Sequence, residues 1–414
     1  MILMKQLIIS ALSLFSMVCT ILGQDTNMPD KAVYAEPGRG YYREVILEVL
    51  DHKEYTDDEP SGRLTVDFGN RLFPTDSSLY SILPHLPPVS QGRTGACWCF
   101  ATVSMLESEI IRQTGKKIRL SEIYFVFHEY LERARAFVRE RGEVYFAQGS
   151  ESNAVTRMMR LHGAVPYEAF PGKKNLELFH DHQTMFAEMK GYLDHVKENS
   201  IWYEDIVTGT IRAILEHYLG EPPERFLWEG EEYTPHEFAK KVLPFQPIDY
   251  FSFMSTTSME FNQRGELKEP DNWWHSDDYY NVTLDDFLFI LRNALEEGFT
   301  VTICGDVSEP GFDAQREVGI VPEFDIPGEF INEDSRELRL YNKSTTDDHC
   351  MHAVGIHEDP ESGLWFMAKD SGAGGFDGPH KGYRFLHEDY VRLKMVNILV
   401  HKEAARPVLD KIIK

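Results

Sequence analysis

Cys97 closes the loop Gln91-Gly92-Arg93-Thr94-Gly95-Ala96 and opens the run Cys97-Trp98-Cys99-Phe100. A cysteine attacks carbonyl carbon as the thiolate. A helix N-terminus favours that anion, and the N–H groups of its first turn have no helical acceptor. Gln91, six residues before Cys97, can bring a side-chain amide. Together these donors fit a developing oxyanion. A buried helix cysteine beside an ordinary loop glutamine would be the plainer explanation for either residue alone. The Gln91–Cys97 spacing, followed by Trp98 at a loop-to-helix junction, favours a thiol nucleophile.

The nucleophile needs a base, and the base needs an orienter. Asp347-Asp348-His349-Cys350-Met351-His352-Ala353 carries two histidines at the edge of an apolar run suited to a strand. Side chains alternate along a strand, so His349 and His352 point to opposite faces and only one can meet the thiol. The residues do not choose between them. Asp370 follows the apolar run Trp365 to Ala368 and precedes Ser371-Gly372. It is a candidate orienter, although taken alone an ordinary turn aspartate explains it as well. A metal or redox site built from Cys97-x-Cys99 and His349-Cys350-x-His352 is the competing chemistry. Those spacings are not the usual zinc pairs, and they give Gln91 and Trp98 no role. No metal and no cofactor are expected.

The elements that must position these groups follow from periodicity. Cys97 to Gln113 has helical spacing, with Phe100, Val103, Leu106, Ile110 and Ile111 on one side and Gly115 as the stop. Ser121 caps a second helix to about Arg141, and Ser152 to Leu161 reads as a third. Residues 170 to 280 are charged, aromatic and mostly helical, and look like an insertion. Thr283 caps a helix to Glu297. Thr300 to Cys304, Met351 to Ile356, Leu364 to Ala368 and Met395 to Val400 are short apolar runs suited to strands. A helical first part and a sheet-rich last part make an α+β plan with a cleft where the two meet.

Bulk properties narrow the setting. The 414 residues carry a net charge of −25 and are 42% hydrophobic. A core is affordable, and nucleic acid is excluded as a partner because there is no basic excess. Residues 1–23 read as an export signal: Lys5, an apolar stretch from Leu7 to Leu22, and Gly23 before Gln24. Lipid attachment at Cys19 is the weaker alternative, since bulky Val18 precedes it. A secreted or periplasmic protein is expected, with no stable membrane span after signal removal. Residues 24 to about 63 read as an exposed, acidic lead-in. The cysteines beyond the signal, Cys97, Cys99, Cys304 and Cys350, are expected mostly as free thiols. Asn281-Val282-Thr283 and Asn342-Lys343-Ser344 are glycosylation sequons in a suitable host.

On these residues the chain resembles the papain-like cysteine peptidases, and within them the bleomycin hydrolase and aminopeptidase C group. Gln91 with Cys97-Trp98-x-Phe100 is similar to the family's active-site helix. His349-x-Met351, six residues before Gly355, resembles the group's His-Ala-Met strand and selects His349. Tyr279-Tyr280-Asn281-Val282 leading to Asp285, Gly305-Asp306-Val307 and Lys369-Asp370-Ser371 match further segments in the right order, from about Pro84 to His401. The resemblance implies the papain-like fold over 24–414: a helical half at 24–169, a large mostly helical insertion at 170–280, and an antiparallel β half at 281–414. It implies Cys97 as nucleophile, His349 as base and acid, Gln91 as oxyanion donor, Asp370 as orienter, and a peptide as partner. A homo-oligomer is compatible with it.

The departures bear on mechanism. Asp370 stands for the usual asparagine, and Gly372 for the tryptophan that shields it, so a more exposed Asp370 and looser geometry are expected. Gly149-Ser150-Glu151 stands where paired glycines bind substrate backbone; Ser150 narrows the groove, and Glu151 meets either a substrate cation or solvent. Trp98 belongs to the same substrate-side set. Cys304 and Cys350 fall on strands like the walls of the second substrate subsite, with ordinary buried strand cysteines as the alternative. The segment from Glu403 to Lys414 is shorter than the tail that blocks the cleft in bleomycin hydrolases. Aminopeptidase and endopeptidase therefore both remain open, as does a binding protein that has lost activity.

Overall fold

The computed structural model describes residues 30–35, 40–50, 62–173 and 178–413. The expected export segment, with Cys19, lies outside the described residues. Helix α1 (Cys97–Thr114) ends on Gly115, whose φ of 69° lets its N–H turn back to Ile111 O. α1 is buried from Trp98 to Ile110 on nearly every side, including Glu107 and Ser104. A single apolar stripe was expected. The helix instead lies between two layers, with the other helices on one flank and the sheet on the other.

Helix α2 (Glu122–Arg139) starts on Ser121, whose Oγ accepts the Tyr124 N–H at 3.1 Å. α3 (Asn153–His162) follows. The next two, α4 (Gln183–Glu198) and α5 (Glu204–Leu219), extend this layer, with α5 on α2 and α4 on α5. Their buried residues Met189, Leu193, Ile211 and Leu215 join Trp98, Phe125 and Phe127 in one core. Each such side chain contributes about 1.5–3 kcal/mol when fully buried.

The second layer is an eleven-stranded sheet among the described residues. Its central strands are β1 (Tyr250–Met254), β2 (Tyr279–Asn281), β3 (Val301–Gly305), β4 (His349–Asp359), β5 (Gly363–Lys369), β6 (Tyr383–His387) and β7 (Met395–His401). They lie in the order β6-β5-β4-β3-β7-β1-β2, antiparallel except for the parallel pair β1–β2. Helix α6 (Leu284–Glu296) is capped by Thr283 and buries Phe287, Ile290 and Leu291 against Ile303, Phe366 and Ile398 in a second core.

The sheet draws on more of the chain than expected. Residues 250–280, grouped with the insertion on sequence, supply β1, the first two residues of β2 and the edge strand Gln263–Gly265. Their apolar runs are too short for helices and long enough to pair. The helices of the insertion are α4, α5 and the short Pro235–Lys241. The lead-in is not merely exposed: Lys31–Ala35 pairs with Arg63–Asp67, and Val66 and Phe68 pack with Trp365 and Val318. The C-terminal helix Arg406–Ile412 buries Val408 and Leu409 in the second core, and α6 donates Asn293 Nδ2 to Ala404 O at 2.8 Å.

The expectation of mostly free thiols fails for one pair. Cys304 and Cys350 are directly opposite in the β3–β4 register, with Cα atoms 4.1 Å apart, and form a disulfide. Their separation of 46 residues conceals an adjacency that only strand register creates. Asn281 is fully buried and donates Nδ2 to Thr256 O and Met259 O, so that sequon is closed to modification in the folded protein.

Candidate active site

Cys97 is the first residue of α1 and half-buried. Ala96 before it supplies no side-chain cap, so the first-turn N–H groups stay available. The Cys97 N–H has no acceptor among the described residues. His349 is the first residue of β4, at the strand's open end, and Cys97 is near enough to favour its charged form. Its Nε2 lies 2.8 Å from Asp370 Oδ1. Burial works against the imidazolium, but the Asp370 carboxylate and Cys97 outweigh it and hold His349 well above the ordinary histidine range. The second histidine is placed differently. His352 lies deep under α1, with Nδ1 2.8 Å from Ser104 Oγ.

Asp370 is held on three sides. Its Oδ1 also accepts the Gly372 N–H at 2.7 Å, and its Oδ2 faces Arg384 Nε at 3.2 Å. Its side chain is 3% exposed, against the expectation of a loosely shielded carboxylate. The shield is backbone: the turn Ala373–Phe376 folds directly over the carboxylate, and a Cβ at Gly375 would sit 2.9 Å from Asp370 Cγ. Burial raises the acid, but His349, Arg384 and the Gly372 N–H win and lower it to about 2. Lys369 anchors the same strand end to α1, with Nζ 2.6 Å from Ser104 Oγ and 2.9 Å from Leu86 O. This fixes the height of Asp370 relative to Cys97.

Gln91 is tied to the same turn. Its N–H donates to Ser371 O at 2.9 Å, and its Oε1 accepts Ser371 Oγ at 2.8 Å. Nε2 spends one hydrogen on Thr94 O at 2.8 Å; the amide has a second to offer. The loop is stitched onward by Gly95 N to Gln148 Oε1 at 3.0 Å and by Trp98 Nε1 to Gln148 O at 3.3 Å. Trp98 is fully buried, so it supports the loop from beneath.

The candidate substrate loop is organised by two residues of α2 one turn apart on the same face. Arg133 donates to Tyr145 O, Ala147 O and Gly149 O. Glu129 accepts from Ser150 Oγ at 2.7 Å, Trp273 Nε1 at 2.7 Å and Arg157 Nη1 at 3.1 Å. Ser150 therefore turns away from the groove that it was expected to narrow. Asp271 of the insertion lies on Gly149 so closely that a Cβ there would meet its carboxylate. Glu151 is 2% exposed, which removes the solvated-loop reading. Cys304 and Cys350 are buried as the disulfide, and Asp347 Oδ lies within 4.8 Å of both sulfurs.

Of the residues singled out on sequence, the structure brings together Cys97, His349, Asp370 and, through Ser371, Gln91. The residues of the metal alternative are dispersed: Cys99 Sγ donates to Glu122 O, Cys350 is bonded to Cys304, and His352 is bonded to Ser104. Arg384, Glu129, Arg133 and Asp271 went unnoticed on sequence. No local motif marks them, since each acts across 14 or more residues on a partner that folding delivers.

No protein-family model and no curated protein matches the chain. Solved structures do. PepW from Lactobacillus rhamnosis HN001 superposes with a TM-score of 0.65 at 17% identity, covering 82% of this chain and 85% of that one. The bromelain protease from Ananas comosus, solved with the E64 inhibitor, aligns at 13% identity over 77% of this chain and 94% of that one. Its TM-score is 0.36, too low to bear on the fold. The helical layer, the antiparallel-rich sheet and the cleft residues at their seam, with the PepW superposition, give this chain the papain-like α+β fold.

Proposed function

We propose that the protein is a cysteine-type peptidase that cleaves peptide bonds through Cys97, and that it trims peptides from the N-terminus. The observation that carries this reading is the 2.8 Å His349–Asp370 bond at the seam where Cys97 opens α1, with Cys97 near enough to act on the charge of His349. In the reaction the Cys97 thiolate adds to the scissile carbonyl. The oxyanion that forms is held by the Cys97 N–H and the free hydrogen of Gln91 Nε2. His349 gives its proton to the leaving amine, and the thioester is then hydrolysed by water that His349 deprotonates. Asp370 fixes the imidazole's tautomer and ring plane throughout. Export of the protein is part of the proposal and rests on residues 1–23 alone.

A thiol-directed epoxide should label Cys97, and Cys97→Ala should remove both labelling and turnover. Turnover retained in that variant would sink the nucleophile assignment. The exopeptidase part is read from one peptide supplied with a free or an acetylated amine; equal cleavage of the two would make the enzyme an endopeptidase.

A further inference from the structure

Beside the triad stand two carboxylates without a direct ion pair; the buried guanidinium of Arg336, spent on the carbonyls of Ser255, Arg392 and Val396, acts on Asp347 only at a distance. Glu151, just before α3, and Asp347, two residues before His349, share one amide. Asn397 Nδ2 lies 3.2 Å from Glu151 Oε2 and 2.6 Å from Asp347 Oδ2. Tyr279 OH adds a hydrogen bond to Glu151 Oε2 at 3.2 Å. No lysine, arginine or histidine among the described residues forms an ion pair with either acid. Asp271 and Glu269 add to the same negative field. Each of these has its own cation, Arg133 at 3.6 Å and Lys343 at 3.0 Å.

A second observation concerns Asn397 itself. It is fully buried, and while its amide bridges the two acids its Oδ1 is buried with no donor. Buried acceptors are normally satisfied. Here Glu151, Asp347 and Asn397 Oδ1 meet with too few positive hydrogens between them. Burial pushes both acids upward; Asp271 and Glu269 add to it at Glu151, which reaches about 8, and Glu151 and Glu269 add to it at Asp347. Cys97 also acts on Asp347, so the group lies within electrostatic reach of that residue. Asp347 is partly exposed and lies against the disulfide, so it is the member of the group that solvent reaches, with Glu151 and Asn397 buried behind it.

We propose that Glu151, Asp347 and Asn397 form the subsite that receives a cationic nitrogen of the substrate, either the α-ammonium or the ammonium or guanidinium of a basic side chain. The proposal rests on the peptidase reading and names the substrate class of that site. A cation there supplies the missing donors and neutralises a carboxylate pair that is otherwise costly to keep charged. It also relieves the negative field beside the thiolate. The recognition comes from side chains of the protein's interior, with Asp271 closing over Gly149 at the rim.

The test uses one neutral peptide in three forms: free amine, acetylated, and acetylated with an arginine placed before the scissile bond. kcat/KM is measured for wild type, Asp347→Asn and Glu151→Gln, with circular dichroism to check that each variant folds. Wild type should favour one or both cationic forms over the acetylated neutral form by about 10- to 100-fold, as expected for losing a charge-assisted contact. That ratio should fall towards one in both variants. Preference for the free-amine form alone assigns the α-ammonium; preference for the arginine form alone assigns the side chain. A wild type indifferent to charge, or variants that keep the preference, would overturn the subsite. If no form is cut, the peptidase reading fails separately. Calorimetry on Cys97→Ala protein then decides the subsite: a free-amine or arginine dipeptide amide should bind, its uncharged analogue and Asp347→Asn protein should not. Equal or absent binding overturns it.

Discussion

The substitution Asp370→Asn puts the orienter back to an uncharged amide and isolates what the charge does. The carboxylate and imidazole meet at 2.8 Å, and both side chains are almost buried, 3% and 11% exposed. An opposite charge at that range holds a histidine up by about 1–3 pH units, or about 1.4–4 kcal/mol. His349 is raised in the folded protein. Its imidazolium is therefore present below that raised value and lost as pH rises through it. Asparagine keeps a hydrogen-bond acceptor for the ring and removes the charge, so the imidazolium is lost at lower pH. The alkaline limb of kcat/KM, which reports the free enzyme's cysteine–histidine pair as a unit, should move down by about 1–3 units. Arg384 would also be left facing a neutral amide, buried at 1% exposure. That should cost about 3–5 kcal/mol of stability, read by urea denaturation. Arg384→Met removes the cation instead, and should leave the limb in place or move it upward while also destabilising. A folded Asp370→Asn enzyme with its alkaline limb unmoved would refute the argument that the carboxylate sets the charge state of His349.

Three further outcomes follow from the same contacts. Asp370, lowered to about 2 in the fold from a model-peptide 3.8, contributes stability above its unfolded value that is lost as pH falls from about 4 to 2. Wild type should lose more stability across that window than Asp370→Asn does. Glu151→Gln should raise thermal stability at neutral pH, because Glu151 is favoured as the neutral acid up to about 8 and its ionised form opposes folding as pH rises above about 4.5; an unchanged or lower melting temperature would contradict this. Glu129→Ala should cost about 3–5 kcal/mol, since it strips partners from Ser150, Arg157 and Trp273 at once; a cost under about 1 kcal/mol, the range of an exposed pair, would show that the loop is held otherwise.

Much of this protein was legible along the chain. The Gln91–Cys97 block, the stop at Gly115 and the caps at Ser121 and Thr283 are local devices, each complete within a few residues, so sequence alone determined them. The four main strand runs were equally plain, because apolar strand segments declare themselves by length and composition. The choice of His349 came from resemblance, since alternation along β4 could not say which parity faces the thiol.

What tertiary structure decided lies where distant segments meet. Register, not spacing, joins Cys304 to Cys350. The backbone turn over Asp370 replaces a missing side chain as shield, and a sequence comparison of side chains cannot see it. Arg384 makes Asp370 a carboxylate held between two cations, and Asn397 brings Glu151 and Asp347 to one amide across 246 and 50 residues. Burial and partner charge set how such groups ionise, and neither quantity exists until the chain has closed on itself. The sequence alone therefore determined the helix start that carries the thiol and, with it, the chemistry that is proposed. The fold decided how its acids are charged, and with them the substrate it is proposed to take.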